Sequence, residues 1–187
     1  MAGRGDVAGM IRFFVALDLP WTLRERLTSL AGGLPGARWV PAENHHLTLR
    51  FIGELPCWRA EEVDHALASL RARGFALTLA GLGVFEKAGR SSALWVGVER
   101  NPGLDHLRGK IETALQRAGL EPERRRFNPH VTLARVDGVP HERLVTYLQA
   151  HNLFRAEPLP VEHFTLFSSR LGKEASVYTA EAEYELA

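Results

Sequence analysis

The chain says one short phrase twice. Asn44-His45-His46-Leu47-Thr48-Leu49 returns as Asn128-Pro129-His130-Val131-Thr132-Leu133, 84 positions later in a chain of 187 residues. A string of the form Asn-x-His-x-Thr-Leu that recurs at about half the chain length points to two similar units set against each other. Both copies lie in β-type runs. Side chains on a strand alternate between faces, so His46, Thr48 and Arg50 are expected on one face and Leu47 and Leu49 on the other. His130 and Thr132 likewise oppose Val131 and Leu133. Each unit then offers an imidazole and a hydroxyl side by side. Two units facing across a cleft bring two such pairs together.

The rest of the chain reads as alternating short strands and amphipathic helices. Residues 12–19 form an apolar β-type run ended by Pro20, and a helix follows with Leu23, Leu27 and Leu30 on one stripe. Residues 37–40 and 45–53 read as strands and 58–73 as a helix. Residues 75–85 and 93–99 read as two strands joined near Gly89-Arg90. The order then restarts, with a helix opened by Asn101-Pro102 and stopped by Gly119. A strand over 127–136, a helix over 140–151 and strands over 161–171 and 176–186 complete it. Hairpin-like neighbours favour antiparallel pairing, which makes the class α+β. The expected architecture is bilobal within a single domain spanning 1–187. Two pseudo-symmetric lobes, each with a small, mostly antiparallel sheet and two helices, enclose a cleft.

Composition narrows the function. Net charge is +1, from 23 basic and 22 acidic residues, which does not suit a surface that grips long nucleic acid throughout. It permits a small anion held locally. One cysteine, Cys57, cannot form an internal disulfide. No stretch approaches 18 apolar residues, and the first 20 residues lack a convincing signal pattern. A monomeric cytoplasmic protein with no membrane segment is expected. Arg4-Gly5-Asp6 reads as part of a loose terminus rather than as an adhesion signal.

Paired imidazoles suit acid–base chemistry near neutral pH. A neutral ring takes a proton from water while a charged ring gives one to a leaving oxygen, and a threonine hydroxyl donates to a phosphoryl oxygen without adding charge. Phosphodiester hydrolysis uses these functions together. A metal centre is the chemical rival, because His45-His46 is ligand-rich; adjacent strand residues face opposite ways, so these two cannot easily share one ion. No metal and no other cofactor are expected. His163-Phe164-Thr165-Leu166 repeats the pattern without the leading Asn and is set aside as a decoy. His65, His106, His141 and His151 fall on helical stretches and read as solvated or capping residues.

The two strings resemble the paired signatures of the 2H phosphoesterases, in the branch of RNA 2',3'-cyclic phosphodiesterases also called 2'-5' RNA ligases. Residues 12–20, 43–54, 127–135 and 164–179 carry the likeness, over most of the chain. The resemblance implies a cleft between lobes and metal-independent opening of a 2',3'-cyclic phosphate at an RNA end to a 2'-phosphate. It implies His46 and His130 as the proton-transfer pair and Thr48 and Thr132 as phosphate holders. The family's Phe and Arg, each five residues past its histidine, fall on Phe51 and Arg135. Phe51 would stack on a terminal base, and Arg135 would hold phosphate; Ser168 and Tyr178 also occupy familiar places, Tyr178 as a substrate contact. Strict alternation would turn Phe51 and Arg135 away from their histidines, so a strand end, twist or bulge must bring them round, with Gly53 and Gly138 nearby to permit it. Core packing of Phe51 and a surface ion pair for Arg135 are the plain structural readings. Arg124-Arg125-Arg126 is a solvated face or a guide for RNA. His130 as base and His46 as acid is one assignment, and pseudo-symmetry allows the reverse. The same residues would serve 2'-5' ligation. A binding module for RNA ends without turnover, or an enzyme for another cyclic phosphate such as that of ADP-ribose, remain alternatives.

Overall fold

The computed structural model describes residues 9–187, so Arg4-Gly5-Asp6 lies outside the described residues. The strands are β1 Ile11–Asp18, β2 Arg38–Trp39, β3 His46–Leu55, β4 Phe75–Leu77, β5 Leu79–Lys87, β6 Arg90–Val98, β7 His130–Arg135, β8 Leu159–Val161, β9 His163–Leu171 and β10 Ser176–Glu185. The helices are α1 Trp21–Thr28, α2 Cys57–Ala68, α3 Pro102–Arg117 and α4 His141–His151. The class is α+β with antiparallel pairing, as expected.

Two four-stranded sheets dominate, with strand orders β10-β9-β1-β3 and β2-β7-β6-β5. Neither sheet is made from one half of the chain: β9 and β10 join β1 and β3, while β7 enters the sheet of β5 and β6. The motif strands therefore differ in setting. β3 is an edge strand and β7 is an inner one, and the two lie in contact.

Both sheets and all four helices drain into one apolar core. Leu17 and Leu47 reach it from the first sheet, Val96 and Val131 from the second, and Leu27, Leu67, Ile111 and Leu144 from the helices. Each of these side chains is 0–1 % exposed, and burying one contributes roughly 1.5–3 kcal/mol.

Three departures from the sequence expectation have physical causes. The helix expected over 58–73 stops at Ala68, because Gly74 and Ala187 use their N–H groups on the carbonyls of Ala187 and Ala72. Tertiary pairing with the chain's end takes precedence over helix propensity there. The strands expected over 75–85 and 161–171 do not run through. Their leading segments, β4 and β8, split off and pair with each other as a third, two-stranded sheet. The β5–β6 turn sits one residue early, on Ala88 and Gly89, both with positive φ (52° and 74°), as a tight two-residue hairpin requires.

One buried ion pair ties the first motif strand to α3. Arg50 Nε donates to Glu112 Oε2 at 2.6 Å, and Arg50 Nη2 donates to the Glu121 carbonyl at 2.5 Å. Glu112 Oε1 accepts from Gln116 Nε2 at 3.0 Å and from the Glu123 N–H at 2.9 Å. The pair thus fixes β3 to the loop that leads into the second motif. This overturns the expectation that Arg50 shares the face of His46.

Candidate active site

The reason lies in the register of β3 on β1. His46, Thr48 and Phe51 stand opposite Asp18, Ala16 and Phe14, whereas Arg50 stands opposite Val15. A bulge at Leu49 breaks the alternation, turning Arg50 inward and bringing Phe51 round to the histidine face. The second copy does the same. His130, Thr132 and Arg135 stand opposite Gly97, Trp95 and Ala93, with the irregularity at Leu133. The leucine that closes each motif is thus the bulged residue that turns the face, and a second irregularity, at Ile52 beside Gly53, lies beyond Phe51. Both five-residue offsets end on the same face as their imidazole.

Each imidazole is held from behind in the same way. His46 Nδ1–H donates to the Asn44 carbonyl at 2.8 Å, and His130 Nδ1–H donates to the Asn128 carbonyl at 2.6 Å. A carbonyl only accepts, so Nδ1 carries the proton and Nε2 is left for chemistry. Thr48 Oγ1 lies 3.0 Å from His46 Nε2 and donates to it while the ring is neutral. Asn44 belongs to a 3₁₀ turn, Ala42–Asn44, which is pinned from both sides. Its Nδ2 donates to the Ser176 carbonyl at 2.8 Å. Arg24 donates from Nη1 to the Ala42 and Glu43 carbonyls at 3.0 and 2.7 Å, and also pairs with Asp18.

Aromatic rings wall both imidazoles. Phe14 and Tyr178 stand 4.9 and 5.1 Å from the His46 ring, the tyrosine edge-on at 88°. Phe85 stands edge-on to His130 at 4.7 Å and 87°, with Trp95 at 6.2 Å. The indole needs Gly83: a Cβ there would come within 2.4 Å of the ring. Burial drives both imidazole pKa values down. His46 falls to about 4, against the help of the Asn44 carbonyl and with the charges of Arg24 and His130 pressing the same way. His130 is lowered by burial and partly supported by the Asn128 carbonyl. Burial thus favours the neutral form of both rings in the resting protein.

Thr48, Phe51 and His130 line one cavity of about 760 Å³, a size within the usual range for small-molecule sites. His46 adjoins it through Thr48. Thr132, Arg135 and Tyr178 are not on its wall. A larger groove of about 1670 Å³ runs between α2 and α3, but it holds neither motif. Phe51 is 52 % exposed rather than packed in the core. Arg135 is exposed, and among the described residues no hydrogen bond or ion pair engages its guanidinium; Asp137 is taken by Arg38 at 2.7 Å. Ser168 is buried and donates to the Glu181 carboxylate. The decoy His163 lies 3.7 Å from Glu183 and lines a different cavity, with Asp18 and Pro20. His65 and His106 sit on exposed helix surface, and His151 stacks on Tyr147 at 4.2 Å. Among the described residues no group of three or more His, Cys, Asp or Glu is arranged to hold a metal ion, and no helix is long and apolar enough to cross a membrane. Phe14, Phe85, Trp95 and the Arg24 clamp were not legible as site residues. They belong to other strands and helices, and only the fold brings them to the motifs.

Known proteins resemble this chain in both sequence and shape. A family model described as the 2'-5' RNA ligase superfamily matches residues 20–173. The RNA 2',3'-cyclic phosphodiesterase of Aeropyrum pernix is 36% identical over 157 residues, covering 83% of this chain and 89% of that protein. The protein of the same description from Thermotoga maritima is 30% identical over 186 residues, covering 94% and 96%. Among solved structures, Escherichia coli LigT in complex with 3'-AMP superimposes with a TM-score of 0.79 at 28% identity, covering 96% of this chain and 99% of that one.

Proposed function

The chain belongs to the 2'-5' RNA ligase superfamily, and from that membership we propose that it hydrolyses RNA 2',3'-cyclic phosphate ends to 2'-phosphomonoesters without a metal. The observation that carries the proposal is the duplicated device: an imidazole fixed through Nδ1 to the Asn carbonyl two residues back, with a threonine on the same face, in each of two touching strands. In this reading His46 and His130 are the catalytic pair. One ring, neutral, takes a proton from water through Nε2 as the water oxygen attacks phosphorus. The P–O3' bond breaks, and the other ring, protonated, gives its Nε2 proton to the departing O3'. Thr48, Thr132 and Arg135 bind the phosphoryl oxygens, and Arg135 offsets the charge that builds on them. Phe51 stacks on the terminal base, and Tyr178 supports the His46 side of the substrate. The 5'-hydroxyl of a second RNA in place of water would give a 2'-5' bond by the same route. The protein acts in this reading as a cytoplasmic monomer, a single domain with its cleft between two intertwined lobes.

The test is incubation with excess EDTA and each of the four 2',3'-cyclic mononucleotides, followed by identification of the product isomer. Exclusive 2'-phosphate, formed at an undiminished rate, is expected. A 3'-phosphate, or a rate abolished by EDTA and restored by a divalent ion, contradicts the reading. RNA binding with no product supports the binding-module alternative instead.

Two further outcomes follow. The active form carries one proton on the pair, and kcat/KM reports the free protein. Both rings titrate below the ordinary 6.5 there. The kcat/KM bell should therefore have both limbs on the acid side of 6.5, as values belonging to the pair. A bound phosphate anion stabilises the imidazolium, so the alkaline limb of kcat should lie higher. A kcat/KM bell centred above neutrality would speak against the buried, neutral resting state. Second, Phe51→Ala should raise KM and cost about 1–3 kcal/mol in kcat/KM, the usual worth of a base–aromatic stack. An unaltered KM would return Phe51 to a mere surface position.

A further inference from the structure

The 760 Å³ cavity extends well beyond the two motifs, and its far wall is basic. Beyond Thr48, Phe51 and His130 it is lined by Arg100, at the entry to α3, by Arg108, on α3, and by Arg125 and Arg126, in the loop before β7. The acidic groups on that wall are largely committed. Glu99 pairs with Arg155. Glu123 holds Arg125 at 3.0 and 3.1 Å, and that contact keeps the Arg125 guanidinium 5.9 Å from the Phe51 ring. Asp105 is the remaining carboxylate.

Three guanidiniums are left with little to hold. Arg100 and Arg126 are exposed, and among the described residues no ion pair engages either. Arg108 lies over the Phe127 ring at 5.3 Å and has only a loose approach to Glu112, at 3.9 Å. Its Nε is buried with no hydrogen-bond partner, and the side chain, 20% exposed, meets the cavity with the rest of its guanidinium uncommitted. Surplus positive charge on the wall of a site that continues from the reacting end is an anion subsite in waiting. A low overall net charge of +1 makes the local excess more pointed, because it is not a general property of the surface.

We infer that Arg100, Arg108 and Arg126 form a subsite for the phosphate on the 5' side of the terminal nucleotide, so that the protein prefers RNA ends to cyclic nucleotides lacking a 5'-phosphate. This rests on the reading given under Proposed function. A nucleotide whose cyclic phosphate lies at Thr48 and His130 and whose base lies on Phe51 carries its next phosphate into this cavity, since all three residues are on its wall. The contacts are to phosphate and carry no base information.

The experiment compares uridine 2',3'-cyclic phosphate, its 5'-phosphorylated form, and a uridine trinucleotide ending in the cyclic phosphate. Wild type is set beside Arg100→Ala/Arg126→Ala and, separately, Arg108→Gln. The expected result is a kcat/KM for the trinucleotide on the order of 10-fold or more above that for the unphosphorylated mononucleotide, with the ratio falling towards one in the variants. The slope of log kcat/KM against log salt for the trinucleotide should shrink by about 1 for each phosphate-contacting arginine removed. A gain already present in the 5'-phosphorylated mononucleotide supports the subsite, and a gain confined to the trinucleotide overturns it in favour of contacts further along the strand. A wild-type ratio near one, or a ratio the variants leave unmoved, overturns the subsite. If no substrate reacts with any form of the protein, the reaction reading has failed. Equilibrium binding of a trinucleotide ending in a 2'-phosphate then tests the subsite alone: weakening in the variants supports it, and equal binding overturns it.

Discussion

His46→Ala and His130→Ala should each lower kcat on uridine 2',3'-cyclic phosphate by on the order of 10²–10⁴-fold, the usual worth of a positioned general acid or base. In the proposed reaction the two rings work on one proton inventory. Removing both should cost little more than removing the worse of the two, because groups that act as a unit are far from additive. Alanine also opens space beside Phe14 and Tyr178 in one case and Phe85 in the other. Each variant should therefore be checked by near-ultraviolet circular dichroism. The more informative signature is the pH profile: each single variant should lose one limb of its bell. A folded variant that retains wild-type kcat would remove that histidine from the chemistry.

Glu112→Ala should destabilise the fold by about 3–5 kcal/mol, because it strands a buried guanidinium without its counter-charge. Arg50 and Glu112 side chains are 7% and 11% exposed, so water cannot replace the lost partner. Arg50→Met/Glu112→Leu should cost less than Glu112→Ala, since it leaves no unpaired buried charge. Urea denaturation followed by fluorescence and circular dichroism measures both. The pair also sets an acid limit. Burial alone would raise the Glu112 carboxyl, but its bonds from Arg50, the Glu123 N–H and Gln116 bring it below its usual value. A carboxylate depressed in the folded state contributes stability above its unfolded pKa, and that stability is lost as pH falls through the folded value. The lowered imidazoles work in the same direction: the unfolded chain binds protons below 6.5 that the folded rings refuse, so acid favours unfolding through them too. Equal urea midpoints for wild type and Glu112→Ala would show that the clamp adds nothing.

The candidate site was legible because its essential parts are local. Asn, His and Thr within five consecutive residues supply the imidazole, its carbonyl anchor and the hydroxyl, and period-two alternation sets the His and Thr side by side. The bulges were less accessible. Alternation put Arg50 with His46 and turned Phe51 away, and only the register of β3 on β1 reverses both. The same shift at Leu133 brings Arg135 round. A one-residue slip is a property of the pair of strands and leaves no mark on either alone. The α+β class followed from the succession of short strands and helices. The mixing of β1 and β3 with β9 and β10 did not, because strand partners far apart in sequence are chosen by the core they jointly close. The split of β4 and β8 from longer apolar runs has the same origin. The aromatic walls stayed hidden because Phe85 and Trp95 read as ordinary strand residues until the hairpin lays them beside His130.

In the proposed reaction the rings of His46 and His130 serve one phosphorus atom. The direct measurement is a titration of the ¹⁵N-labelled imidazoles with uridine 2'-monophosphate, read by NMR across a range of pH. Both rings should respond with a single Kd, and both pKa values should rise on binding. A response confined to one ring, or two responses with different affinities, would contradict it.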